Sequence, residues 1–472
     1  MTAQFATEDT RDLVKEINEF CDKHGIAVST FGRHAVNDGK FLTRISRGGW
    51  IAPETAKRAR DFMEHANRGG IVLRGRPRRK KAESNAYSMA QLVNQETSIR
   101  TPGNYAIHEQ RHRSHVFSAT TNISWVQADL ITSDLLKMTP SPDGLRLFYS
   151  PMDNGITLVR ALRALHANFP DLPVQVVIKG WGLEDLRNTM GRMVDRLYEH
   201  PLTVLVLTNL YTREVPHLSK TAAEGPTELS WHDFALQGKH SYDFQQQIAG
   251  LFPKLAPEWS VIRGDDGFPV YSCPSVVAIY RDDHRKSLSH LIPRQDGPDL
   301  AFDYCFLNHP YLHSHTMRFR VEYILAPIIR HLAPGGQMKV VQSTGEDPAH
   351  EIIRHIFPDQ TLNCISRHDI ISELRKFLGS EQKELSFSGL TDTRSLYRFD
   401  MHTLPEIAAD DERILPLQEA WNNAVFFSQL NEELAQSAVY DGTRYLDVTE
   451  KILRQHKSMW FVNEAFAVTR KA

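Results

Sequence analysis

Ala301-Phe-Asp-Tyr-Cys-Phe-Leu-Asn-His-Pro-Tyr311, followed closely by Ile324-Leu-Ala-Pro-Ile-Ile-Arg-His-Leu-Ala-Pro-Gly-Gly-Gln-Met-Lys-Val-Val-Gln342, is the stretch whose reading decides the fold. Residues 302–307 are short, apolar and β-rich, residues 319–332 carry helical spacing, and Gln337–Gln342 repeats the strand pattern. Pro334 is expected to end the helix and Gly335-Gly336 to reverse the chain, sending an apolar run into the centre of a sheet. Strand, helix, strand is the unit of a parallel sheet, because parallel neighbours need a long crossover.

Working outward, residues 145–149, 174–178 and 203–208 read as strands, and residues 157–169 and 183–200 as helices, with a helical approach over Trp125–Met138. Residues 210–300 interrupt the rhythm with a helix over Phe244–Leu255, a hairpin from Trp259–Ile262 to Val270–Ser272, and a further strand at Val276–Tyr280. Downstream come helices at 349–357 and 368–378, a strand at Ser395–Met401, and helices at 417–436 and 443–455. A terminal hairpin-like pair is expected within Trp460–Thr469. Short apolar runs alternating with amphipathic helices predict an α/β fold whose mostly parallel sheet is covered on both faces.

The 301–342 segment resembles the fourth-strand and following-helix signature of class I S-adenosylmethionine-dependent methyltransferases. In that family an Asp opens the strand, a polar residue ends it near the substrate, and the helix closes in L-x-P-G-G. The resemblance extends over about residues 120–472 in strand order and implies a Rossmann-like sheet of seven strands ending antiparallel, with S-adenosylmethionine as cofactor. The cofactor then belongs at the carboxyl ends of the strands, beside Ser150, Asp153, Asn154 and Gly155, with Glu184 after the second strand. The loop departs from the family pattern in holding one glycine, Gly155, and a stiff Pro151. Asn308-His309-Pro310-Tyr311 is similar to the Asn-Pro-Pro-Tyr motif of amino-methylating enzymes, with His309 in the first proline's place. The resemblance makes Asn308, His309 and Tyr311 the catalytic candidates, His309, Tyr311 or His313 being able to take a proton. The methyl acceptor, small molecule or protein, is left open. His309, His313 and His315 have no acid or cysteine at a helpful spacing, so no metal centre is expected.

Composition narrows the remaining classes. Apolar residues are 41% and charged residues 24% of 472, which excludes disorder as the dominant state. The chain has no apolar run of the roughly 18 residues that spanning requires, and acids occupy the opening MTAQFATEDTRD where a signal peptide needs a basic and then apolar stretch. Cys21, Cys273, Cys305 and Cys364 are widely spaced, so neither a zinc knuckle nor a disulfide framework is expected, and a cytoplasmic location is. The nucleophile elbow, phosphate loop and GxGxxG patterns are all absent.

Charge is uneven: residues 1–115 hold 20 Lys and Arg against 13 Asp and Glu, while the remainder is acidic. Residues 1–68 read as a small helical domain in which Ser29–Val36 and Lys40–Arg47 are two short helices around Asn37-Asp-Gly39. This stretch resembles the phage-repressor-type helix-turn-helix family, which implies DNA contacts from Lys40, Thr43, Arg44 and Arg47. Residues 69–115 read as a basic, flexible linker whose Arg74-Gly-Arg76-Pro-Arg78 core resembles an AT-hook, a narrow strand suited to the minor groove. Residues 116–472 form the methyltransferase-like domain. Two functions follow: a methyltransferase with a double-stranded-DNA-binding head, or a DNA-binding transcriptional regulator whose large domain is an inactive sensor or dimerisation module. No membrane partner is expected, and a homodimer is compatible with both.

Overall fold

The computed structural model describes residues 8–24, 28–36, 38, 40–46, 53–67, 111–150, 155–180, 182–218, 229–263, 269–402 and 414–472. The chain divides into two compact units, Met1–Ser84 and Asn85–Ala472.

The first unit holds α1 (Glu8–His24), α2 (Val28–Val36), α3 (Phe41–Ser46) and α4 (Pro53–Asn67), close to the spans read from sequence. Leu13, Ile17 and Phe20 of α1 meet Phe31 and Ala35 of α2, Phe41, Leu42 and Ile45 of α3, and Ala56, Ala59 and Met63 of α4 in one core. Each helix thus buries one apolar stripe in that core. Gly32 is required by packing: its carbonyl accepts from the Asp38 amide at 3.0 Å, and a Cβ there would collide with the Asp38 carbonyl. The Asp38 carboxylate accepts from the Lys40 amide at 2.9 Å, which starts α3.

The second unit opens with α5 (Arg111–Thr120) and α6 (Ile123–Leu135), then runs β1 (Leu145–Ser150), α7 (Ile156–Asn168), β2 (Val174–Lys179), α8 (Leu183–Glu199) and β3 (Thr203–Thr208). Next come β4 (Ser230–Leu236), α9 (Ser241–Leu255), β5 (Val261–Arg263), β6 (Pro269–Tyr271), β7 (Ser275–Arg281) and β8 (Phe302–Asn308). A helical run of Met317–Phe319, a π-helical Arg320–Leu325 and Ala326–Arg330 leads into β9 (Leu332–Ser343). The rest is α10 (Pro348–Ile356), α11 (Arg367–Leu378), β10 (Leu385–Ser388), β11 (Leu396–Asp400), α12 (Ile414–Phe427), α13 (Glu432–Tyr440), α14 (Arg444–His456) and β12 (Trp460–Arg470).

One sheet takes the order β10-β12-β9-β8-β1-β2-β3-β7-β4, with β11 also on β12. β3, β2, β1, β8 and β9 are mutually parallel, and β12 is antiparallel to β9. The chain winds outward from β1 to β3 and then returns to the other side of β1 as β8. That reversal falls at the carboxyl ends of β1 and β8, the place where open α/β sheets bind ligands. One face buries Leu147, Tyr149, Val176 and Ile178 under α7, α8 and α9, and the other buries Phe148, Val177, Val206 and Leu307. A third cluster gathers Phe117, Phe399, Trp421, Phe427 and Phe461.

The structure corrects several expectations. The sheet has ten strands rather than seven. The interruption adds β7 antiparallel to β3, and β4 parallel to β7, while β5 and β6 form the expected hairpin as a separate pair. The helix expected over 319–332 ends at Arg330, and Pro334-Gly335-Gly336 lies inside β9, with Gly335 at φ 78° and an irregular register opposite Phe302 and Tyr304. The helix expected over 417–436 is two, because Gln429 sits at φ 54° and the Asn431 carboxamide caps α13 by accepting from Glu433 N at 2.7 Å. Trp460–Arg470 is one strand and not a hairpin: it is held between β9 and the short β10 and β11. Finally, α5 begins inside the stretch read as linker, pinned by Arg113 to Glu432 at 3.0 Å. No described helix is long and apolar enough to cross a membrane.

Candidate active site

Ser150 ends β1 beside Leu307 of β8, so the structure brings the cofactor and catalytic candidates to one edge of the sheet. The Ser150 hydroxyl is buried and has no hydrogen-bond partner among the described residues. A hydroxyl left unpaired in a protein interior is costly and invites a ligand or a water. Gly155 starts α7 at φ 87°, and a Cβ there would lie 2.7 Å from Thr189 Cα on α8. The single glycine of this loop therefore meets both a backbone and a packing demand. Asp153 and Asn154 fall outside the described residues, as do Arg47, Arg74, Arg76 and Arg78. Glu184 is exposed in the first turn of α8, a favourable place for an acid at a helix start.

Sequence reading missed the most perturbed pair at this edge. Lys179 ends β2 fully inside the fold, and burial lowers its amine to about 8, against the pull of Glu214. Burial raises Glu214 to about 7, opposed by the Tyr211 amide at 3.0 Å, by Arg213 and by Lys179. Burial thus drives both groups toward their neutral forms near pH 7. The visible signal was a lysine closing the mostly apolar Val174–Lys179 strand. It stands where the family resemblance implies a carboxylate.

The end of β8 is built differently. Asn308 is buried and exchanges two hydrogen bonds with Gln127 of α6, Gln127 Nε2 to Asn308 Oδ1 at 2.9 Å and Asn308 Nδ2 to Gln127 Oε1 at 3.1 Å. The amide pair fastens α6 along β8. His309 turns the chain at φ 47° and its amide donates to Val341 O at 2.8 Å. Burial pushes its imidazole down to about 4, against a hydrogen bond with Asn463, and His350 lowers it further. A ring that weakly basic takes up little proton at neutral pH.

Tyr311 is buried, and its hydroxyl donates to Gln342 Oε1. Gln342 Nε2 donates to Glu464 at 2.6 Å, and Glu464 pairs with Arg367 at 2.7 Å, both nearly sealed from water. Arg320, from the π segment, lies 4.6 Å from the Tyr311 ring centre and donates to the carbonyls of Leu312, His313, His315 and Asn363. One guanidinium thereby fixes the loop after β8.

Beyond that loop, His313 Nδ1 meets Ser428 O at 3.1 Å, and His350 Nδ1 meets Asp347 Oδ1 at 2.8 Å. His350 Nε2 faces Cys364 Sγ at 3.6 Å. Burial disfavours a charged His350, yet the Asp347 carboxylate and Cys364 raise it to about 10. Burial, first, and then the neighbouring cations hold His313 well below its ordinary value. His315 is half-buried, lowered to about 3 by its burial and by Arg320, and its Nδ1 accepts from Leu312 N at 3.2 Å.

No protein-family model and no curated protein matches the chain. Similarity to solved structures is slight. It includes the phosphoethanolamine N-methyltransferase 2 of Haemonchus contortus, solved with phosphomonomethylethanolamine and S-adenosylhomocysteine, at 12% identity over 74% of this chain and 53% of that one, with TM-score 0.26. The chain thus spans about half the length of that enzyme. A protein assigned as an O-methyltransferase from Klebsiella pneumoniae is 9% identical over 81% of this chain and 96% of that one, TM-score 0.27. MNMC2 from Aquifex aeolicus is 11% identical over 74% and 75%, TM-score 0.19. TM-scores this low carry no argument about fold or chemistry, and the functional reading rests on this chain's own topology and side chains.

Proposed function

We propose that the second unit is a class I methyltransferase-like domain that binds S-adenosylmethionine at the carboxyl ends of β1 and β2. The observation that carries this reading is the winding reversal between β1 and β8, with the Gly155 turn and the buried Ser150 hydroxyl, which has no partner among the described residues, placed at it. The parallel core with an antiparallel β12 agrees with the arrangement the family resemblance implies. When bound, S-adenosylmethionine supplies an electrophilic methyl group on a sulfonium. Ser150 would hydrogen-bond it, and the α7 start would let backbone approach closely. The buried pair of Lys179 and Glu214 can hold or release a proton beside that place. Calorimetric titration with S-adenosylmethionine and S-adenosylhomocysteine tests the reading. Saturable heat with a rise in Tm is expected, and no response at millimolar ligand would remove it.

A second reading has its own support. The Asn308 carboxamide is committed to Gln127, and a lysine closes β2, which suits a domain that binds a small molecule without turning it over. Release of S-adenosylhomocysteine on incubation with cell extract separates enzyme from sensor. The first unit is proposed to bind double-stranded DNA through Lys40, Thr43, Arg44 and Arg47, with Arg74, Arg76 and Arg78 following in the chain. Its support is the pair α2 and α3 turning at Asp38, with Phe41, Leu42 and Ile45 buried and Lys40 exposed. Arg44→Ala with Arg74→Ala should weaken duplex binding and lower the salt slope by about 2, since each arginine neutralises one phosphate. An unchanged slope would count against it.

A further inference from the structure

Three residues far apart in the sequence converge beside the end of β9. His313 follows β8, His350 lies in the first turn of α10, and Cys364 precedes α11, with one nitrogen or sulfur from each lying within 4.8 Å of the others. We propose that His313, His350 and Cys364 bind a zinc-class divalent transition metal ion. The proposal does not depend on methyl transfer.

Ligand chemistry and orientation carry the argument. The backbone carbonyl of Ser428 can only accept, so the His313 proton sits on Nδ1 and its Nε2 keeps a free lone pair. The Asp347 carboxylate does the same for His350, leaving Nε2 directed at Cys364 Sγ. A carbonyl behind one imidazole and a carboxylate behind the other are the supporting contacts that metal-ligating histidines make. Zinc takes sulfur at ~2.3 Å and nitrogen at ~2.0–2.1 Å, so tetrahedral ligands stand roughly 3.6 Å apart. The observed Nε2 to Sγ separation is 3.6 Å.

The surroundings fit the same ion. Gly345 lies at φ 79°, and a Cβ there would stand 2.7 Å from Cys364 Sγ, so glycine lets the thiol come close. Arg320 lies near enough to Cys364 to interact with it. A metal ion would displace the extra His350 proton, and one thiolate, two imidazoles and the adjacent Asp347 carboxylate would then together balance a dication. Asp347 is itself fixed, since its Oδ1 also accepts from the His350 amide at 3.0 Å. Asp347, His350 and Cys364 alone could serve as a thiol-activating relay. In such a relay the oriented His313 has no part, which favours the metal. Three protein ligands leave the fourth tetrahedral position to water.

The test uses the full-length chain stripped with chelator and titrated with Co2+, then Zn2+. One cobalt per chain should give a thiolate-to-cobalt charge-transfer band, which Zn2+ removes stoichiometrically while raising Tm. Cys364→Ser should abolish the band, and Asp347→Asn should keep it but weaken affinity roughly 10–100-fold. Gly345→Ala should weaken it too. His217, Asp299 and His331 form another cluster that could take cobalt, but it offers no thiolate. Absence of the band in the unmodified chain, or its survival in Cys364→Ser, overturns the proposal. So does alkylation of Cys364 at the same rate with and without Zn2+, the result expected of a metal-free relay. S-adenosylmethionine titration of the same samples reports on the other site, so the two readings fail separately.

Discussion

Between the ends of β1–β3 and the end of β8, polar side chains are used in opposite ways. Asn308 and Tyr311 give their hydrogen-bonding groups to Gln127 and Gln342, and the chain of contacts runs on through Glu464 to Arg367. At the ends of β1–β3, Ser150 has a buried hydroxyl without a partner among the described residues, while Lys179 and Glu214 are driven toward neutrality. A satisfied buried network specifies structure; an unsatisfied or strongly perturbed one is where a ligand gains most. The motif that looks most like a catalytic signature is therefore the better-committed half structurally.

The largest expected effect lies in that half. Arg367→Met leaves Glu464 as an uncompensated buried charge and should cost about 3–5 kcal/mol in urea denaturation, with Arg367→Met/Glu464→Leu recovering much of it. A loss under about 1 kcal/mol would mean that water enters the network and that the two halves differ less in their commitment.

Glu214→Gln sharpens the other half through pH. Glu214 titrates at about 7 in the fold against 4.5 ordinarily, so the folded state holds the extra proton between these values. Stability then falls as pH rises from 4.5 to about 7, by at most about 1.4 kcal/mol per pH unit for one proton. The variant should lose that slope and be relatively stabilised above pH 7 in Tm measured across pH. An unaltered slope would place the proton elsewhere.

Asn308→Ala should cost about 1–3 kcal/mol by stranding the Gln127 amide, and a double-mutant cycle with Gln127→Ala should show coupling. Independent effects, with methyl transfer lost only in Asn308→Ala, would return Asn308 to the reaction. Smallest is Ser150→Ala. Removing a hydroxyl that has no partner among the described residues should change stability by less than about 1 kcal/mol while weakening S-adenosylmethionine in calorimetry.

How much of this was legible depends on the kind of contact. β1, β2, β3 and β8 announce themselves because both faces of the sheet are covered and their runs are almost wholly apolar. β4, Ser230–Leu236, escaped because it is a half-exposed edge strand whose Trp, His and Asp carry no clean alternation. The terminal strand was split in reading because Asn463 and Glu464 interrupt its apolar run. Both are buried, held in place through Tyr397, Gln342 and Arg367. The strand-end candidates could be located from order alone. Their partners could not, since Gln127, Gln342, Cys364 and Glu214 are brought in by tertiary folding and leave no periodic trace.

β12 lies in the interior of the sheet, with Asn463–Thr469 on β9 along one side and β10 and β11 on the other. During synthesis it emerges after every other described strand. Until then β9 presents an open row of amides and carbonyls to whatever else is nearby. The parallel core therefore closes its flank on β9 only once the last described segment of the chain is available to pair with it.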